Sequence, residues 1–149
     1  MKKLKVILIG CGDRGMRYTN VMKELSEKYQ VVAIAEPLEN RREHVKNYHS
    51  IPEEMCFNDW KPLLALGKIA DLCLVCTMDR DHFAPAMKAI ELGYDIMLEK
   101  PIAPTQEECT ALTKAAMEKK QSYKLLKKYG KENLTVPVVA DIHFDYRLA

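Results

Sequence analysis

Three glycines near the amino terminus have the spacing G-x-G-x-x-G and follow directly on an apolar run. The loop consists of Gly10, Cys11, Gly12, Asp13, Arg14 and Gly15. In such a loop Gly10 permits a tight turn, Gly12 lets backbone approach a diphosphate, and Gly15 lets a helix pack close to a strand. The free N–H groups and dipole of the helix that begins here attract negative charge. The loop predicts a site for the pyrophosphate of NAD(H) or NADP(H), and a corner without a ligand is the alternative.

An acidic residue, Glu36, follows the second apolar run, at the end of the next predicted strand. A carboxylate at about this distance from the glycines accepts hydrogen bonds from the adenosine ribose and repels a 2′-phosphate, which favours NAD. Arg41 and Arg42 come shortly afterwards and could reach a 2′-phosphate, although solvated charges on a surface helix are their more common role. We therefore predict NAD as the cofactor and keep NADP as the alternative.

The elements that must position these residues alternate between short apolar runs and longer amphipathic stretches. Strands are predicted at 4–9, 31–35, 56–57, 71–76 and 95–98. Helices are predicted at 13–29, 39–48, 81–92 and 105–120, together with a short helix up to residue 66 that Asp59 caps. The continuous apolar runs are typical of strands buried on both faces. The pattern predicts an α/β fold: a Rossmann-type, doubly wound, mostly parallel sheet with helices on both faces.

Three local signals refine these helices. The first helix is expected to bury an apolar stripe, made of Met16, Val21, Met22 and Leu25. Gly93 is expected to end the helix 81–92 in the left-handed conformation. Thr105 and Glu108 have the spacing of a capping box, which predicts that the last helix begins at Thr105.

The bulk composition excludes several classes of function. The chain has 149 residues, 48% of them hydrophobic and 30% charged, and a net charge of +2. We predict a single domain, 1–149, with no nucleic-acid partner and no membrane partner, because no run approaches the roughly 20 apolar residues that span a bilayer. The apolar run after Met1 is also too short for a secretion signal. Five cysteines are then best explained as reduced thiols in the cytoplasm.

Four short segments carry a family resemblance. They read V-I-L-I-G-C-G at 6–12, A-I-A-E-P at 33–37, C-T-M-D-R-D-H at 76–82 and E-K-P-I-A at 99–103. Together they resemble the nucleotide-binding half of the Gfo/Idh/MocA oxidoreductases, over residues 1 to about 120. The E-K-P tripeptide is the most specific of the four. The resemblance implies hydride transfer between a nicotinamide cofactor and a hydroxyl or carbonyl group of a sugar- or polyol-like substrate.

The resemblance also implies roles for individual residues. The loop glycines, with Asp13, Arg14 and Arg41 beside them, would hold the cofactor, and Glu36 would take the ribose. The segments at 76–82 and 99–103 would add further cofactor contacts from Thr77, His82, Glu99, Lys100 and Pro101.

Lys100 is the catalytic residue that the resemblance implies, since its ammonium can hydrogen-bond the substrate oxygen during hydride transfer. Pro101 matches a proline that is often cis in the family, which would fix how Lys100 points. His82 could contact a ligand, or it could be a residue at a helix start that is bonded locally. The family usually has asparagine near Asp79, so an acid there departs from the pattern.

Family members carry a second domain that supplies the substrate pocket. Because the chain ends at Ala149, we expect that domain to be absent and the isolated chain to bind cofactor without turnover. The alternative function is a truncated or chimeric nucleotide-binding or scaffold module without turnover. Such a module could form a homodimer through an unpaired edge strand.

The tail, 121–149, is atypical of the family and contains a predicted sixth strand at 136–142. Its last 14 or so residues resemble a strand of the 4-hydroxy-3-methylbut-2-enyl diphosphate synthases, which suggests a join near 120–133. Asp141, His143 and Asp145 share one strand face there, but an exposed polar face is a commoner explanation than a metal site. Cys73 and Cys76 fall on opposite faces of a strand, so we predict no metal.

Overall fold

A computed structural model of the chain describes residues 2–118. The strands are β1 (Leu4–Ile9), β2 (Tyr29–Ala35), β3 (Cys56–Phe57), β4 (Leu72–Val75) and β5 (Asp95–Leu98). The helices are α1 (Asp13–Glu24), α2 (Glu39–His49), α3 (Trp60–Ala65), α4 (Phe83–Glu91) and α5 (Gln106–Glu118). Short 3-10 turns lie at Glu53–Met55 and Asp79–Asp81.

The five strands form one sheet in the order β3-β2-β1-β4-β5, and every pair is parallel. Residue Ile7 in the middle of the sheet pairs with Ala33 on one side and with Cys73 on the other. The chain moves outward to β2 and β3 and then returns to the other side of β1, so a crevice opens at the carboxyl ends of β1 and β4, where such sheets bind ligands. The predicted α/β fold with a parallel sheet is confirmed.

Alternate residues of the central strands feed two cores, one on each face of the sheet. Ile7, Ile9 and Cys73 belong to one buried cluster, whereas Leu8 and Cys76 belong to the other. Helices α3 and α4 supply Leu63, Leu64 and Ala89 to the first cluster, and α2 supplies Val45 to the second. The two cysteines therefore lie on opposite faces, as predicted.

The first helix is shorter than the sequence predicts. It ends at Glu24 instead of residue 29, because Tyr29 already pairs with Leu4 at the start of β2. The expected stripe is also partly wrong, since Val21 is 54% exposed. Gly15 and Thr19 form the buried face, because a helix this close to the sheet leaves room only for small side chains.

The helix boundaries elsewhere largely follow their local signals. Gly93 adopts φ +84° immediately after Leu92, the C-cap of α4, as expected of a left-handed stop. Asp59 Oδ1 accepts a hydrogen bond from Lys61 N (2.8 Å) at the start of α3, and Thr105 Oγ1 accepts one from Glu108 N (3.2 Å) at the start of α5. The helix predicted from residue 81 begins two residues later, because the 3-10 turn Asp79–Asp81 precedes it.

Several predictions fall on residues 119–149, which lie outside the described part of the chain. They are the sixth strand at 136–142, the synthase-like tail and the candidate metal face of Asp141, His143 and Asp145. Within residues 2–118, no helix is both long enough and apolar enough to cross a membrane.

Candidate functional site

Two glycines of the loop fit so tightly that neither tolerates a side chain. Gly10 has φ +93°, and a Cβ built on it would lie 2.5 Å from Cys76 O. A Cβ on Gly15 would lie 2.2 Å from Gly10 O. Both distances are far below van der Waals contact with backbone atoms that cannot move away easily. The loop thus joins β1, β4 and α1, as the motif predicts.

Gly12 is the opposite case, because open space faces it. A Cβ at this position would meet only the Arg41 guanidinium, with Nη1 at 3.7 Å. Gly12 is also the N-cap of α1 and provides no side-chain cap, so N–H groups of the first helical turn remain available to an anion. The residues fit a diphosphate at this point.

Glu36 lies beside the loop and is only 4% exposed. Its Oε2 accepts a hydrogen bond from Cys11 N (2.6 Å), and its Oε1 accepts one from Leu38 N (3.0 Å). A carboxylate has about four acceptor positions, so Glu36 can hold the glycine loop and still accept hydrogen bonds from a ligand.

The two arginines that follow Glu36 have different positions. Arg42 Nη1 donates to Glu36 O (2.7 Å) and Pro37 O (3.3 Å), which holds the turn between β2 and α2. Arg41 instead borders a cavity of about 350 Å³ beside Gly12. The cavity is lined by Cys11, Gly12, Asp13, Met16, Asn40, Arg41 and His44. Of the two arginines, Arg41 is the one placed to touch a ligand.

The first-turn residues of α1 point in different directions. Asp13 is exposed and pairs with Arg17 on the helix surface, with Oδ2 2.9 Å from Nε. The Arg14 side chain is 56% exposed and extends towards the end of β5, where its Nε lies 4.0 Å from Glu99 Oε2. The side chain of Asp13 therefore serves the helix, while its backbone belongs to the candidate diphosphate site.

On the other side of the crevice, Thr77 follows β4. Its Oγ1 is buried and has no hydrogen-bond partner among residues 2–118. Buried hydroxyls are almost always hydrogen-bonded, so this orphan atom fits a ligand group that completes it. Met78 next to it is 67% exposed, and Asp79 is exposed in the following turn.

His82 is fully buried and lies between two backbone segments. Its Nδ1 is 2.7 Å from Pro101 O, and its Nε2 is 3.2 Å from Thr77 O. The ring therefore links the loop after β4 to the loop after β5. This geometry agrees with the locally bonded alternative and leaves the predicted ligand contact without support from the described residues.

The E-K-P segment lies at the carboxyl end of β5. The Lys100–Pro101 bond is cis, as expected, and Lys100 is exposed. Lys100 N donates to Glu99 Oε2 (3.2 Å). Glu99, with a side chain only 10% exposed, also accepts a hydrogen bond from the Tyr18 hydroxyl through Oε1 (2.5 Å).

The cysteines near the crevice are neutral. Burial, followed by the charge of Glu99, raises the pKa of Cys76 to about 12. Burial and Glu36 raise the pKa of Cys11 well above its ordinary value, and burial does the same for Cys73. These thiols act as small apolar groups. Within residues 2–118, no cluster of three or more His, Cys, Asp or Glu side chains could hold a metal ion.

A family model matches most of the chain. It is described as an oxidoreductase family with an NAD-binding Rossmann fold, and it matches residues 4–126. This chain belongs to the Gfo/Idh/MocA oxidoreductase family. The match confirms the predicted family and the nicotinamide dinucleotide as the class of cofactor, and it covers both sides of the crevice.

Individual Gfo/Idh/MocA relatives are distant in sequence. The 2,7-anhydro-N-acetylneuraminate hydratase of Mediterraneibacter gnavus is 28% identical over 120 residues, which are 79% of this chain and 30% of the relative. The inositol 2-dehydrogenase/D-chiro-inositol 3-dehydrogenase of Halalkalibacterium halodurans is 24% identical over 144 residues, which are 95% of this chain and 41% of the relative. The chain thus spans well under half the length of these curated relatives.

A solved structure supports the same fold. The WlbA dehydrogenase of Chromobacterium violaceum, solved with NADH and UDP-GlcNAcA, superposes with a TM-score of 0.72 at 17% identity. The superposition covers 89% of this chain and 41% of that one. At this identity the likeness concerns the fold.

Tyr18 is a residue of the crevice that no sequence motif includes. It lies one helical turn after Arg14, and residues four apart share a helix face. Since Arg14 was already a candidate for the site, this spacing is the signal that could have indicated Tyr18. The structure brings both residues to the carboxylate of Glu99.

Proposed function

We propose that this chain supplies the cofactor-binding part of an oxidoreductase that transfers hydride between NAD and a sugar- or polyol-like substrate. The observation that carries the proposal is the open space at Gly12, next to Cys11, whose N–H is bonded to the buried carboxylate of Glu36. Lys100 lies beyond the same row of strand ends, at the end of β5. The names of the two curated relatives, an anhydro-sialic acid hydratase and an inositol dehydrogenase, support the substrate class.

The cofactor would lie across the carboxyl ends of the strands, from β2 to β5. The N–H groups after Gly12 would receive its pyrophosphate, and Glu36 would accept hydrogen bonds from the adenosine ribose. Arg41 and the cavity beside it would border the adenosine. Thr77 Oγ1, buried and unpartnered among residues 2–118, would bond the nicotinamide half.

Lys100 is the proposed catalytic residue. The bound nicotinamide would supply or accept the hydride. The Lys100 ammonium would hydrogen-bond the reacting oxygen of the substrate and stabilise the negative charge that develops there. Its neighbour Pro101 would fix its direction. His82 is proposed as a positioning residue, because its ring holds Pro101 O and Thr77 O together.

NAD is proposed over NADP because Glu36 is close to where a 2′-phosphate would lie. A buried carboxylate there would repel the phosphate, whereas Arg41 would attract it. We expect NADH to bind at least about tenfold more tightly than NADPH, which corresponds to about 1.4 kcal/mol. In Arg41→Ala the preference for NADH should increase further. Tighter binding of NADPH by the parent would contradict this choice.

Turnover by the whole protein remains a proposal, because the chain spans 30% and 41% of the two curated relatives. The alternative, a chimeric scaffold with a join near 120–133, is not favoured, since one alignment extends over 144 residues of this chain. The homodimer and the synthase-like tail stay predictions. The proposed cytoplasmic location is supported by the free thiols of all five cysteines.

The proposed function is tested by calorimetric titration of NADH into the parent and into Gly12→Val. A Cβ at Gly12 would have only the Arg41 side chain within 4 Å, so the variant should fold, while the valine side chain occupies the space of the diphosphate and abolishes NADH binding. Leu66→Val is the control, because Leu66 is 50% exposed and lies between α3 and the amino end of β4, away from the crevice. A parent that does not bind NADH, or a Gly12→Val variant that binds it equally well, would overturn the proposal.

A further inference from the structure

Glu99 is nearly buried between two elements that are far apart in the sequence. Tyr18 on α1 donates to its Oε1 (2.5 Å), and the backbone N–H of Lys100 donates to its Oε2 (3.2 Å). Arg14 Nε lies 4.0 Å from the same Oε2. One carboxylate therefore connects the helix of the glycine loop to the segment that carries Lys100.

The position of this carboxylate matters for a ligand that crosses the strand ends. Glu36 directly follows β2 on one side of β1, and Glu99 directly follows β5 on the other side. A dinucleotide whose adenosine lies over β2 would bring its nicotinamide ribose to the region of β4 and β5. With two of its roughly four acceptor positions in use, the Glu99 carboxylate can still accept hydrogen bonds from ribose hydroxyls.

The geometry points to Tyr18 as a positioning residue for the nicotinamide half of the cofactor: its hydroxyl fixes the Glu99 carboxylate so that the free lone pairs of Glu99 face the ligand. This inference rests on the proposed function and deepens it. The cofactor site then includes Tyr18, which lies on α1 beyond the turn that carries the glycines.

The protonation state of Tyr18 supports this role. Burial, followed by the hydrogen bond to Glu99, raises the pKa of Tyr18 to about 12. The hydroxyl therefore keeps its proton at neutral pH and can only donate to the carboxylate. Arg14, the other group on α1 that faces Glu99, is more than half exposed, so it holds the carboxylate less firmly than the tyrosine does.

A comparison of two ligands separates this role from a general effect on folding. ADP contains the adenosine and the diphosphate but lacks the nicotinamide ribose, so it would reach Glu36 and the glycine loop without reaching Glu99. Dissociation constants for ADP and NADH are measured by calorimetry on the parent, Tyr18→Phe, Glu99→Gln and the double variant. Tyr29→Phe is the matched control, because Tyr29 begins β2 at the opposite end of the sheet.

We expect Tyr18→Phe to weaken NADH binding at least fivefold and ADP binding less than twofold. The double variant should bind NADH no more weakly than Glu99→Gln alone, since Tyr18 acts through Glu99. Equal weakening of both ligands, or unchanged NADH binding in Tyr18→Phe, would overturn the assignment. If the parent binds ADP but shows no tighter binding of NADH, the assignment fails while the diphosphate site stands. If it binds neither ligand, the proposed function fails as well.

Discussion

The two sides of the crevice differ in how completely their polar groups are already paired. On the glycine side, which comprises Gly10, Gly15 and Glu36, both oxygens of the buried carboxylate are bonded and two glycines pack against backbone. On the lysine side, which comprises Thr77 and Lys100, the buried Thr77 hydroxyl lacks a partner within residues 2–118 and the lysine is exposed. The glycine side is built by the fold itself, whereas the lysine side leaves groups for a ligand to complete.

Because of this difference, substitutions on the two sides should affect different quantities. A substitution on the glycine side removes a contact that stabilises the fold, so it should lower the free energy of unfolding. A substitution on the lysine side removes a group that the fold does not use, so it should lower ligand affinity and leave stability nearly unchanged. Substitutions on each side of the crevice test this separation.

The largest effect is expected from Gly15→Ala. The new Cβ would lie 2.2 Å from Gly10 O, and the helix must move away from β1 to relieve the overlap. We expect a loss of at least about 3 kcal/mol in the free energy of unfolding, measured in urea. Alanine ordinarily stabilises a helix relative to glycine by up to about 1 kcal/mol. Any loss of stability can therefore be attributed to the overlap of the new Cβ with Gly10 O.

The matched control is Gly12→Ala, since a Cβ there would have only Arg41 within 4 Å. Its free energy of unfolding should fall by no more than about 1 kcal/mol, the cost of replacing glycine by alanine at an N-cap. Equal stability of the two alanine variants would mean that Gly15 does not pack closely against Gly10 O.

Glu36→Gln is expected to cost both stability and affinity. The amide keeps one oxygen acceptor, so either Cys11 N or Leu38 N would lose its partner. An unsatisfied buried N–H costs about 1–3 kcal/mol, which urea unfolding should detect. NADH affinity should fall about tenfold in calorimetry. A variant with full stability would show that the two hydrogen bonds of Glu36 do not support the loop.

The stability of the fold should also be sensitive to acid through His49 at the end of α2. Burial, followed by the charge of Lys23, lowers the pKa of His49 to about 4, from an ordinary value of 6.5. The histidine is neutral in both states well above pH 6.5. As the pH falls from 6.5 to 4, the unfolded chain takes up the proton first, so stability falls by about 1–2 kcal/mol, allowing for the partial exposure of the ring.

Thermal unfolding of the parent and of His49→Gln between pH 7 and pH 4 checks this effect. Carboxylates that titrate in this range are common to both proteins, so the difference between the two curves isolates the histidine. The stability of the parent should fall more steeply than that of the variant. Parallel curves would contradict the assigned burial of His49.

The smallest change in stability is expected on the lysine side, from Thr77→Val. Valine has nearly the shape of threonine, and the hydroxyl that it removes has no partner within the described residues. Stability should stay the same or increase by up to about 1 kcal/mol in urea unfolding. NADH affinity should fall by about 3–10-fold in calorimetry. A marked loss of stability would place Thr77 among the groups that build the fold.

The sequence predicted the glycine side better than the lysine side, for a physical reason. The parallel sheet, the tight packing of Gly10 and Gly15 and the place of Glu36 follow from local patterns that every such loop must satisfy. The different positions of Arg41 and Arg42 could not be predicted from the sequence, because both residues lie at the start of the same helix and both were expected to face solvent. Likewise, the links from His82 to Pro101 and from Tyr18 to Glu99 span 19 and 81 residues, and no local pattern encodes such contacts.

The shorter first helix has a related explanation. Helical periodicity alone continued it to residue 29, but Tyr29 and Gln30 pair with Leu4 and Lys5 in the sheet. Val21 was expected in the core because it is apolar, yet the close approach at Gly15 turns the face of Thr19 inward. Tertiary packing therefore determines both where the first helix ends and which of its faces is buried.

The pyrophosphate of a dinucleotide is proposed to bind over Gly12. A titration of the ¹⁵N-labelled chain with NADH, followed through the amide resonances in solution NMR, tests this directly. The largest shifts should occur at Gly12, Asp13 and Arg14, whose N–H groups would face the phosphates, with smaller shifts at Cys11 and Glu36. Unchanged resonances at residues 12–14, or the largest shifts on the far side of the sheet, would contradict the claim.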